Sequence, residues 1–374
     1  MSKFSDCIVI GGGVVGLTTA RRLAREGLEI TLLERSQCGR EASWAGAGII
    51  APPNPHRNDE LSELQYRSVA MYPDLCAALH DEAGIDPEYD RCGELQLHRT
   101  EDTWGIAKSY VRATEDRTTP EGMPIYALHA PEALGQVEAV LTREVVGVLE
   151  CRLTAQVRNP RLLAALRTAC VNAGVNIREH TAVDDIIVEG AQITGVRAGS
   201  ETLSAGTVIL CAGAWSSLIG DRLATLMPVY PVRGQVVLMA LDDRPFTRII
   251  SSGKTYLVPR KDGHLLLGST EEPEAGYEKR NTPEGVSWLI QAALDMVPML
   301  ADAPVQATWS GLRPGTPDDL PYLGPVPGLG GLIAATGHFR AGLTLAPATA
   351  EVVWHAVNQR PFDIDLTRCL PGRT

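Results

Sequence analysis

Three glycines near the start of the chain have the spacing that binding of a dinucleotide requires. Gly11, Gly13 and Gly16 form a G-x-G-x-x-G pattern directly after an apolar segment, residues 6–10. The first glycine permits a tight turn, the second lets the backbone approach a pyrophosphate, and the third lets a helix pack on the preceding strand. The N-terminus of that helix offers free N–H groups and a partial positive charge. The pattern therefore predicts a phosphate site.

A carboxylate follows where it could hold the sugar of such a nucleotide. Glu34 comes directly after the apolar segment 29–33, about twenty residues beyond the glycines. Its two oxygens can accept hydrogen bonds from both ribose hydroxyl groups. Glycine-rich turns are common, so the three glycines alone are weak support. A strand before them, a helix after them and this carboxylate together favour a nucleotide site over an ordinary βαβ unit.

Strands and helices alternate around these residues as a parallel sheet requires. The helical pattern of residues 15–24 ends at Gly27. Pro160 and Gly174 mark the two ends of a later helix over residues 159–173. The elements that follow are a strand at 175–180, antiparallel strands within 181–202, and a buried strand within 207–216 that runs into a glycine. The nucleotide-binding domain is therefore predicted to resume after an insertion.

The rest of the chain has the pattern of a second domain. Lys261-Asp262-Gly263 is a hairpin signal between two strand-like segments. The predicted elements of this region are strands at 229–239, 256–260 and 264–268, and a helix near 282–297. Earlier in the chain, a helix is predicted from Asp59 to His80, with Pro73 interrupting it. The fold class is therefore α/β of mixed α+β character, a Rossmann-like domain beside an antiparallel-sheet domain.

Length and composition set the class of protein. The 374 residues exceed the usual size of one compact core, and the net charge of −11 argues against nucleic acid or an anionic membrane as a partner. The eight cysteines include no C-x-x-C pair and no zinc spacing, which predicts a cytoplasmic protein without a metal site. The first strand leaves no room for a signal peptide, and no apolar run could span a membrane. Whether the chain forms a homo-oligomer stays open.

The order of several motifs along the chain resembles that of a known family. The series opens with the N-terminal glycines and Glu34, and it continues to the C-terminus. Its later members are residues 39–50, a loop dense in small residues, and then 208–215, 256–260, 311–316 and 337–342. This order resembles the glycine oxidase branch, of the thiazole-pathway type, of the D-amino-acid oxidase family of FAD-dependent oxidoreductases. The resemblance spans nearly the whole chain, and the C-terminal motifs are its most specific part.

The resemblance implies non-covalent FAD in a discontinuous domain. The FAD-binding domain would comprise residues 1–80, 150–222 and 325–374, and the substrate-binding domain 81–149 and 223–324. Related sarcosine oxidases attach the flavin to a cysteine near the stretch 313–319, and this chain has no cysteine between Cys211 and Cys369. The residues that the resemblance assigns to FAD are Gly11, Gly13, Val14, Val15, Gly16, Glu34, Arg35, Ala42, Ser43, Ala47, Gly48, Ile49, Val157, His338, Phe339, Arg340, Ala341, Gly342, Leu343 and Thr344.

Three residues match the family's substrate site and are predicted to be catalytic. A guanidinium group pairs bidentately with a carboxylate, and Arg313 matches the family's carboxylate-binding arginine. Tyr256 matches a tyrosine that hydrogen-bonds the same carboxylate, and Arg340 matches a substrate-site arginine beside the flavin contacts. The residue types alone leave open a structural ion pair for Arg313 and a packed strand tyrosine for Tyr256. His338 is not expected to act as an acid or base, because hydride transfer needs none.

One position departs from the family pattern. After Gly268-Ser269-Thr270 the family commonly has an apolar residue that faces the site, whereas this chain has Glu271-Glu272. A buried carboxylate there would disfavour apolar substrate side chains and attract a cationic one. A carboxylate that points to solvent would have neither effect. The sequence leaves both arrangements open.

The resemblance therefore predicts an FAD-dependent amino-acid oxidase. A hydride would pass from Cα of glycine or another small amino acid to the flavin. The imine would yield glyoxylate and ammonia, oxygen would be reduced to hydrogen peroxide, and the imine would supply thiazole assembly for thiamine. Two alternatives stay open at this point. One is a D-amino-acid or N-methyl-amino-acid dehydrogenase with an acceptor other than oxygen, and the other is a non-catalytic flavin-binding subunit.

Overall fold

The computed structural model describes residues 5–56 and 60–373. Its strands are β1 (Ser5–Ile10), β2 (Ile30–Leu33), β3 (Ile49–Ile50), β4 (Glu94–His98), β5 (Tyr126–His129), β6 (Gly147–Cys151), β7 (Ala155–Gln156), β8 (Asn176–Arg178), β9 (Asp185–Glu189), β10 (Gln192–Ala198), β11 (Glu201–Leu210), β12 (Tyr230–Ala240), β13 (Ile249–Ser252), β14 (Thr255–Pro259), β15 (His264–Gly268), β16 (Val305–Gly315), β17 (Tyr322–Pro325) and β18 (Leu332–Thr336). Its α-helices are α1 (Val14–Ala24), α2 (Ala42–Ala45), α3 (Glu60–Ala83), α4 (Glu101–Ala113), α5 (Leu134–Val137), α6 (Asn159–Asn172), α7 (Asp221–Leu226), α8 (Pro283–Met296) and α9 (Gly342–Val357).

The N-terminal glycines follow the central strand of the first sheet. The strand order is β17-β18-β11-β1-β2-β8, and β8, β2, β1, β11 and β18 run parallel. Helix α1 is the crossover that lets the apolar strands β1 and β2 lie side by side. Strand β17 joins antiparallel at one edge, and β9, β10 and β11 form an antiparallel meander. The predicted Rossmann-like sheet, its strand near 175–180 and the antiparallel strands within 181–202 are confirmed.

The alternation of side chains along β1 gives this sheet a hydrophobic core on each face. Cys7 and Val9 pack on one face with apolar side chains of α1, α3, α6 and α9. Ile8 and Ile10 pack on the other face with β9, β10 and α7. Because helices and the meander cover both faces, the carboxyl ends of the parallel strands are the part of the sheet left for a ligand.

The second sheet is built from the middle of the chain. Its strand order is β16-β12-β15-β14-β13-β4-β6-β5, and α8 packs on it through Leu289, Ala293 and Met296. The hairpin predicted at residues 261–263 joins β14 to β15. The sheet is antiparallel, as predicted, except at one pair, where β13 and β4 run parallel. Residues 99–248 separate these two strands in the sequence, so no turn imposes the antiparallel arrangement on them.

Helix α3 differs from its prediction at Pro73. The helix continues through Pro73 to Ala83, so the predicted interruption is wrong. Proline removes one helical hydrogen bond, but Tyr72 and Cys76 on either side of it are buried in the core that α3 forms with α6 and α9. This packing keeps the helix in one piece. Asp59, the predicted first residue of the helix, lies outside the described residues.

Two strands cross the predicted boundaries between the two domains. Strand β6 belongs to the second sheet and crosses the predicted boundary at 149/150, and β17 belongs to the first sheet and crosses the boundary at 324/325. Residues 1–4, 57–59 and 374, which the predicted domains include, lie outside the described residues. The assignment of one domain to FAD and the other to substrate stays a prediction.

Candidate active site

A deep cavity lies where the two sheets meet. Its volume is about 550 Å³, within the range of ordinary cofactor and ligand sites. One side is formed by residues that follow the carboxyl ends of β1, β2, β11 and β18, where open parallel sheets bind their ligands. The other side is formed by side chains of the second sheet, among them Tyr256, Ser269 and Arg313. The cavity therefore joins a nucleotide-binding edge to a set of polar side chains.

Glycines shape the wall of the cavity beside α1. Gly11 has φ +106°, and a Cβ there would lie 2.4 Å from the carbonyl oxygen of Cys211. A Cβ on Gly16 would lie 1.9 Å from the carbonyl oxygen of Gly11, so α1 packs directly on the turn. Gly13 faces the cavity at the start of α1, where a Cβ would have only the hydroxyl of Ser43, at 3.2 Å, close by. This is the geometry that a tight turn and a close phosphate contact require.

The loop of small residues that follows β2 is tied to the cavity and is not a free surface loop. The backbone N–H of Val14, at the start of α1, donates to the hydroxyl of Ser43 at 2.9 Å. Gly48 has φ +75°, and a Cβ there would lie 2.0 Å from the carbonyl oxygen of Val157. The loop therefore lies against both the helix start and the β7 segment, and its small residues leave room in the cavity.

Glu34 is fixed at the end of β2 with its carboxylate at the cavity wall. One carboxylate oxygen accepts from the N–H of Gly12 at 2.8 Å, and the other accepts from the N–H of Ser36 at 2.9 Å. Glu34 lines the cavity and is buried. The Ser36 hydroxyl also donates to the second of these oxygens, at 3.1 Å, so the oxygen that accepts from Gly12 is the one that keeps acceptor capacity. The residue is therefore held in place and can still receive a hydroxyl group of a ribose.

Arg260 connects the second sheet to the cofactor side of the cavity. Its buried guanidinium donates to the Gln156 side chain at 2.8 Å, and to the carbonyl oxygens of Val157 and Ala47 at 2.9 Å each. Burial lowers the pKa of Arg260 to about 10. The N–H of Val157 donates to the carbonyl oxygen of Gly48 at 2.9 Å. These bonds hold the loop on which several predicted cofactor contacts lie.

Arg313 is positioned by polar partners on the second sheet. Its guanidinium donates to the Ser269 hydroxyl at 2.5 Å and to the carbonyl oxygen of Thr270 at 3.2 Å. On the neighbouring strand a Cβ at Gly234 would lie 2.3 Å from the guanidinium, so the glycine makes the space that the group occupies. Burial lowers the pKa of Arg313, which nevertheless stays charged near neutral pH. The guanidinium is therefore a cation in a partly desolvated wall, and it has N–H donors that Ser269 and Thr270 do not occupy.

Tyr256 lies on the same wall. It pairs across the sheet with Gly268, and a Cβ at Gly268 would lie 2.5 Å from the tyrosine ring. Glycine is therefore the residue that lets the ring lie flat over β15. Tyr256, Arg313 and Arg340 all line the one cavity, so the three predicted catalytic residues converge.

Arg340 is held by a carboxylate just outside the cavity lining. Its guanidinium forms an ion pair with Glu271, and the ammonium of Lys254 lies 2.9 Å from the other oxygen of the same carboxylate. Burial alone would raise the pKa of Glu271, but the hydrogen bonds from these two cations lower it to about 2. Glu271 is therefore ionised and already paired twice. It is neither a free anion in the site nor a residue that points only to solvent.

His338 is a buried histidine in the wall of the cavity. It is 4% exposed, and its Nε2 lies 3.1 Å from the hydroxyl of Thr349. Burial lowers its pKa to about 4, so the imidazole is neutral at physiological pH. The absence of an acid or base role for His338 in catalysis stays a prediction.

We expect His338 to make the protein less stable in acid. Its pKa of about 4 in the folded protein lies below the ordinary value of 6.5, so between these pH values the unfolded chain binds the additional proton. The stability is fully present above pH 6.5 and is lost as the pH falls towards 4, by about 2 kcal/mol at pH 5. Denaturant unfolding between pH 7.5 and 5 should show a steeper loss for the wild type than for His338→Gln. Equal slopes for the two proteins would contradict this assignment.

The structure brings nearly all of the residues predicted from the sequence to this cavity. Gly16 and Val157 lie behind the lining. The predicted residues that form the lining are Gly11, Gly13, Val14, Val15, Glu34, Arg35, Ala42, Ser43, Ala47, Gly48, Ile49, Tyr256, Arg313, His338, Phe339, Arg340, Ala341, Gly342, Leu343 and Thr344.

Other residues of the lining were missed. Trp215, whose ring centre lies 3.6 Å from the guanidinium carbon of Arg35, and residues 181–183 come shortly after parallel strands end. Their place after parallel strands could have indicated that these residues line a ligand site, since ligands bind at the carboxyl ends of such strands. Gly234 lies on the antiparallel strand β12 and Ser269 directly follows β15, and the role of each depends on Arg313, which lies across the sheet.

The fold and the cavity define a class of protein. The glycine cradle, the start of α1 and Glu34 fit the phosphates and ribose of a dinucleotide, and Arg313 and Tyr256 fit a carboxylate. No cysteine lies between Cys211 and Cys369 to tether a ring. These features are those of an oxidoreductase that holds a dinucleotide cofactor.

Comparison with known proteins identifies the family. Residues 6–355 match the family described as DAO, FAD dependent oxidoreductase, and the chain belongs to this family. The chain is 38% identical to a glycine oxidase of Pseudomonas aeruginosa over 362 residues, which cover 96% of each chain. It is 32% identical to the bifunctional protein ThiO/ThiG of Trichormus variabilis, covering 96% of this chain and 53% of that protein. The crystal structure of glycine oxidase from Geobacillus kaustophilus superposes with a TM-score of 0.92, at 28% identity and 99% coverage of both chains. The predicted family and its cofactor, FAD, are confirmed.

Proposed function

We propose that the protein oxidises glycine, or another amino acid with a small side chain, with oxygen as the electron acceptor. The convergence of Arg313 and Tyr256 on the cavity that holds the dinucleotide cradle is the observation that carries this proposal. The likeness to proteins named glycine oxidase supports the substrate. Glycine, oxygen and water would give glyoxylate, ammonia and hydrogen peroxide. When bound, FAD supplies the acceptor for the hydride that leaves Cα.

The side chains of the second sheet would bind and orient the substrate. Arg313 would grip the carboxylate with two parallel hydrogen bonds, and Tyr256 would donate a third. Ser269 and Thr270 hold the guanidinium in place before substrate arrives, so little reorganisation accompanies binding. With its carboxylate fixed on the second sheet, the substrate would direct its Cα towards the cofactor side of the cavity. Orientation of this kind supplies a large share of catalysis when the protein has no bond to make itself.

The proposal includes a metabolic role and a compartment. The imine would supply thiazole assembly for thiamine, and the likeness to a bifunctional ThiO/ThiG protein supports this role. We place the protein in the cytoplasm because seven of its cysteines are free thiols, as is typical of a reducing compartment; they are Cys7, Cys38, Cys76, Cys92, Cys151, Cys170 and Cys211. Within residues 5–56 and 60–373, no helix has the length and apolar character to cross a membrane. Assembly into a homo-oligomer stays a prediction.

Anaerobic mixing of the purified holoenzyme with excess glycine tests the proposal. We expect rapid loss of the flavin absorbance, and recovery of the colour with release of hydrogen peroxide when oxygen is admitted. Acetate, which has the carboxylate but no amine, is the matched control and should leave the flavin in its oxidised state. Reduction by D-alanine or sarcosine but not by glycine would contradict the substrate. Slow recovery in oxygen beside fast recovery with a quinone would favour the dehydrogenase alternative.

A further inference from the structure

Besides Arg35, which is paired with Glu41, two arginines line the cavity, but only one of these two is available to a substrate carboxylate. Arg313 and Arg340 both line the cavity. The hydrogen-bond partners of Arg313 are the Ser269 hydroxyl, the Thr270 carbonyl oxygen and the side chain of Tyr256, and within the described residues no carboxylate forms an ion pair with it. The partner of Arg340 is the carboxylate of Glu271. A cavity with two free guanidinium groups would bind molecules that carry two carboxylates.

We propose that Glu271 determines the specificity of the site by occupying Arg340, which restricts the ligand to one carboxylate. This inference rests on the proposed function, because it names the substrate class of the same site. Glu271 is a positioning residue here, since it acts through Arg340 and does not itself line the cavity. A substrate with a second carboxylate would have to displace Glu271 from Arg340.

The chain on both sides of Glu271 is anchored, so its carboxylate is presented to Arg340 in advance. Before it, the hydroxyl of Thr270 accepts from the backbone N–H of Gln235 at 2.9 Å. After it, the carboxylate of Glu272 accepts from the Gln235 side chain at 2.7 Å and from Arg233 at 2.5 Å. Glu271 and the second carboxylate of a ligand therefore compete for the guanidinium of Arg340. Glu271 has the advantage, because a group that is tethered in the same chain has the higher effective concentration.

Removing the charge of Glu271 would change the electrostatics of the cavity without changing its walls. Arg340 lines the cavity, whereas Glu271 lies behind it. In Glu271→Gln the side chain keeps its size but loses the ion pair with Arg340. A cation without a compensating anion would then face the cavity beside Arg313. This arrangement matches the two carboxylates of a short dicarboxylate better than the single carboxylate of acetate.

The test measures binding of inert carboxylates to the holoenzyme through their effect on the flavin absorbance. The probes are acetate, malonate, succinate and glutarate, which have no amine and cannot be oxidised at an amino-bearing carbon. In the wild type we expect the dicarboxylates to bind no more tightly than acetate. In Glu271→Gln we expect at least one dicarboxylate to bind about tenfold more tightly relative to acetate, which corresponds to roughly 1.4 kcal/mol.

Two further variants separate the proposed role from a general disturbance. Lys254, the other cation at Glu271, has a side chain that is 68% exposed. Lys254→Met should leave the ratio of dicarboxylate affinity to acetate affinity at the wild-type value. Glu271→Gln combined with Arg340→Met should lose the gain. If Glu271→Gln does not retain FAD, Glu271→Met replaces it, with the same expected shift.

An unchanged affinity ratio in a Glu271 variant that retains FAD would overturn the proposal. A gain that persists without Arg340 would overturn it as well. Because none of the probes is a substrate, these outcomes do not depend on turnover of glycine. A wild-type enzyme that glycine fails to reduce would contradict the proposed substrate and would leave the result with the inert carboxylates standing.

Discussion

Replacing Arg313 with methionine is expected to lower kcat/KM for glycine by about a thousandfold while FAD stays bound. The guanidinium lies in a partly desolvated wall and is fixed by Ser269 and Thr270 before substrate binds. Its removal leaves the substrate carboxylate without its charged partner in a cavity from which much water is excluded. Losing one member of such a pair costs about 2–5 kcal/mol, most of it from the charge that remains unpaired.

Steady-state kinetics of three variants would make the assignment of Arg313 specific. Arg313→Lys keeps the positive charge but loses the planar fork, so its kcat/KM should lie between those of the wild type and Arg313→Met. Arg280→Met removes an arginine whose side chain is 61% exposed, and should behave like the wild type. The flavin content of each variant shows whether the cofactor site is intact. A KM for glycine within threefold of the wild-type value in Arg313→Met would show that the carboxylate binds elsewhere.

The parts of the fold that the sequence predicts well depend on neighbours along the chain. Strand β1, helix α1 and strand β2 follow from apolar runs and glycines within thirty residues, and these local patterns determine both the elements and their order. The parallel pairing of β13 with β4 has no such signal, because the two strands come from distant segments and no connection sets their direction. Pro73 misled the prediction of α3 for a related reason. Its local cost is offset by burial of Tyr72 and Cys76 in tertiary contacts.

The candidate site divides in the same way. The glycine pattern, Glu34 and Arg313 stand in motifs whose residue types indicate their chemistry. Gly234 stands in no motif, and its purpose is visible only because the guanidinium of Arg313 occupies the space where its side chain would lie. The charge on Glu271 could be read from the sequence, but its effect depends on Arg340, which is 69 residues away in the chain. Cross-strand and long-range partners are the information that the sequence does not display.

Gly11 provides the second large expected effect. Gly11→Ala should abolish binding of FAD, because a Cβ there would lie 2.4 Å from the backbone oxygen of Cys211 and the residue has φ +106°. Neither side can move easily. The N–H of Cys211 donates to the carbonyl oxygen of Ile10 at 2.8 Å, and this bond joins β1 and β11 at the centre of the sheet. The clash would therefore displace the turn that is to receive the pyrophosphate.

Gly27→Ala is the matched control, because it introduces the backbone strain of a positive φ without the Cβ clash that Gly11→Ala also introduces. Gly27 lies in the turn just after the same helix, which ends at Ala24 rather than at Gly27, and has φ +87°, but a Cβ there would meet nothing within 4 Å. Backbone strain alone should lower the free energy of unfolding by ~1 kcal/mol and leave the cofactor bound. Flavin absorbance per protein, titration of the apoprotein with FAD and circular dichroism would be measured for both variants. A folded Gly11→Ala protein that binds FAD as tightly as Gly27→Ala would show that the pyrophosphate does not rest on this turn. A folded protein without flavin would place the cofactor at this turn, because strain of the same kind at Gly27 leaves it bound.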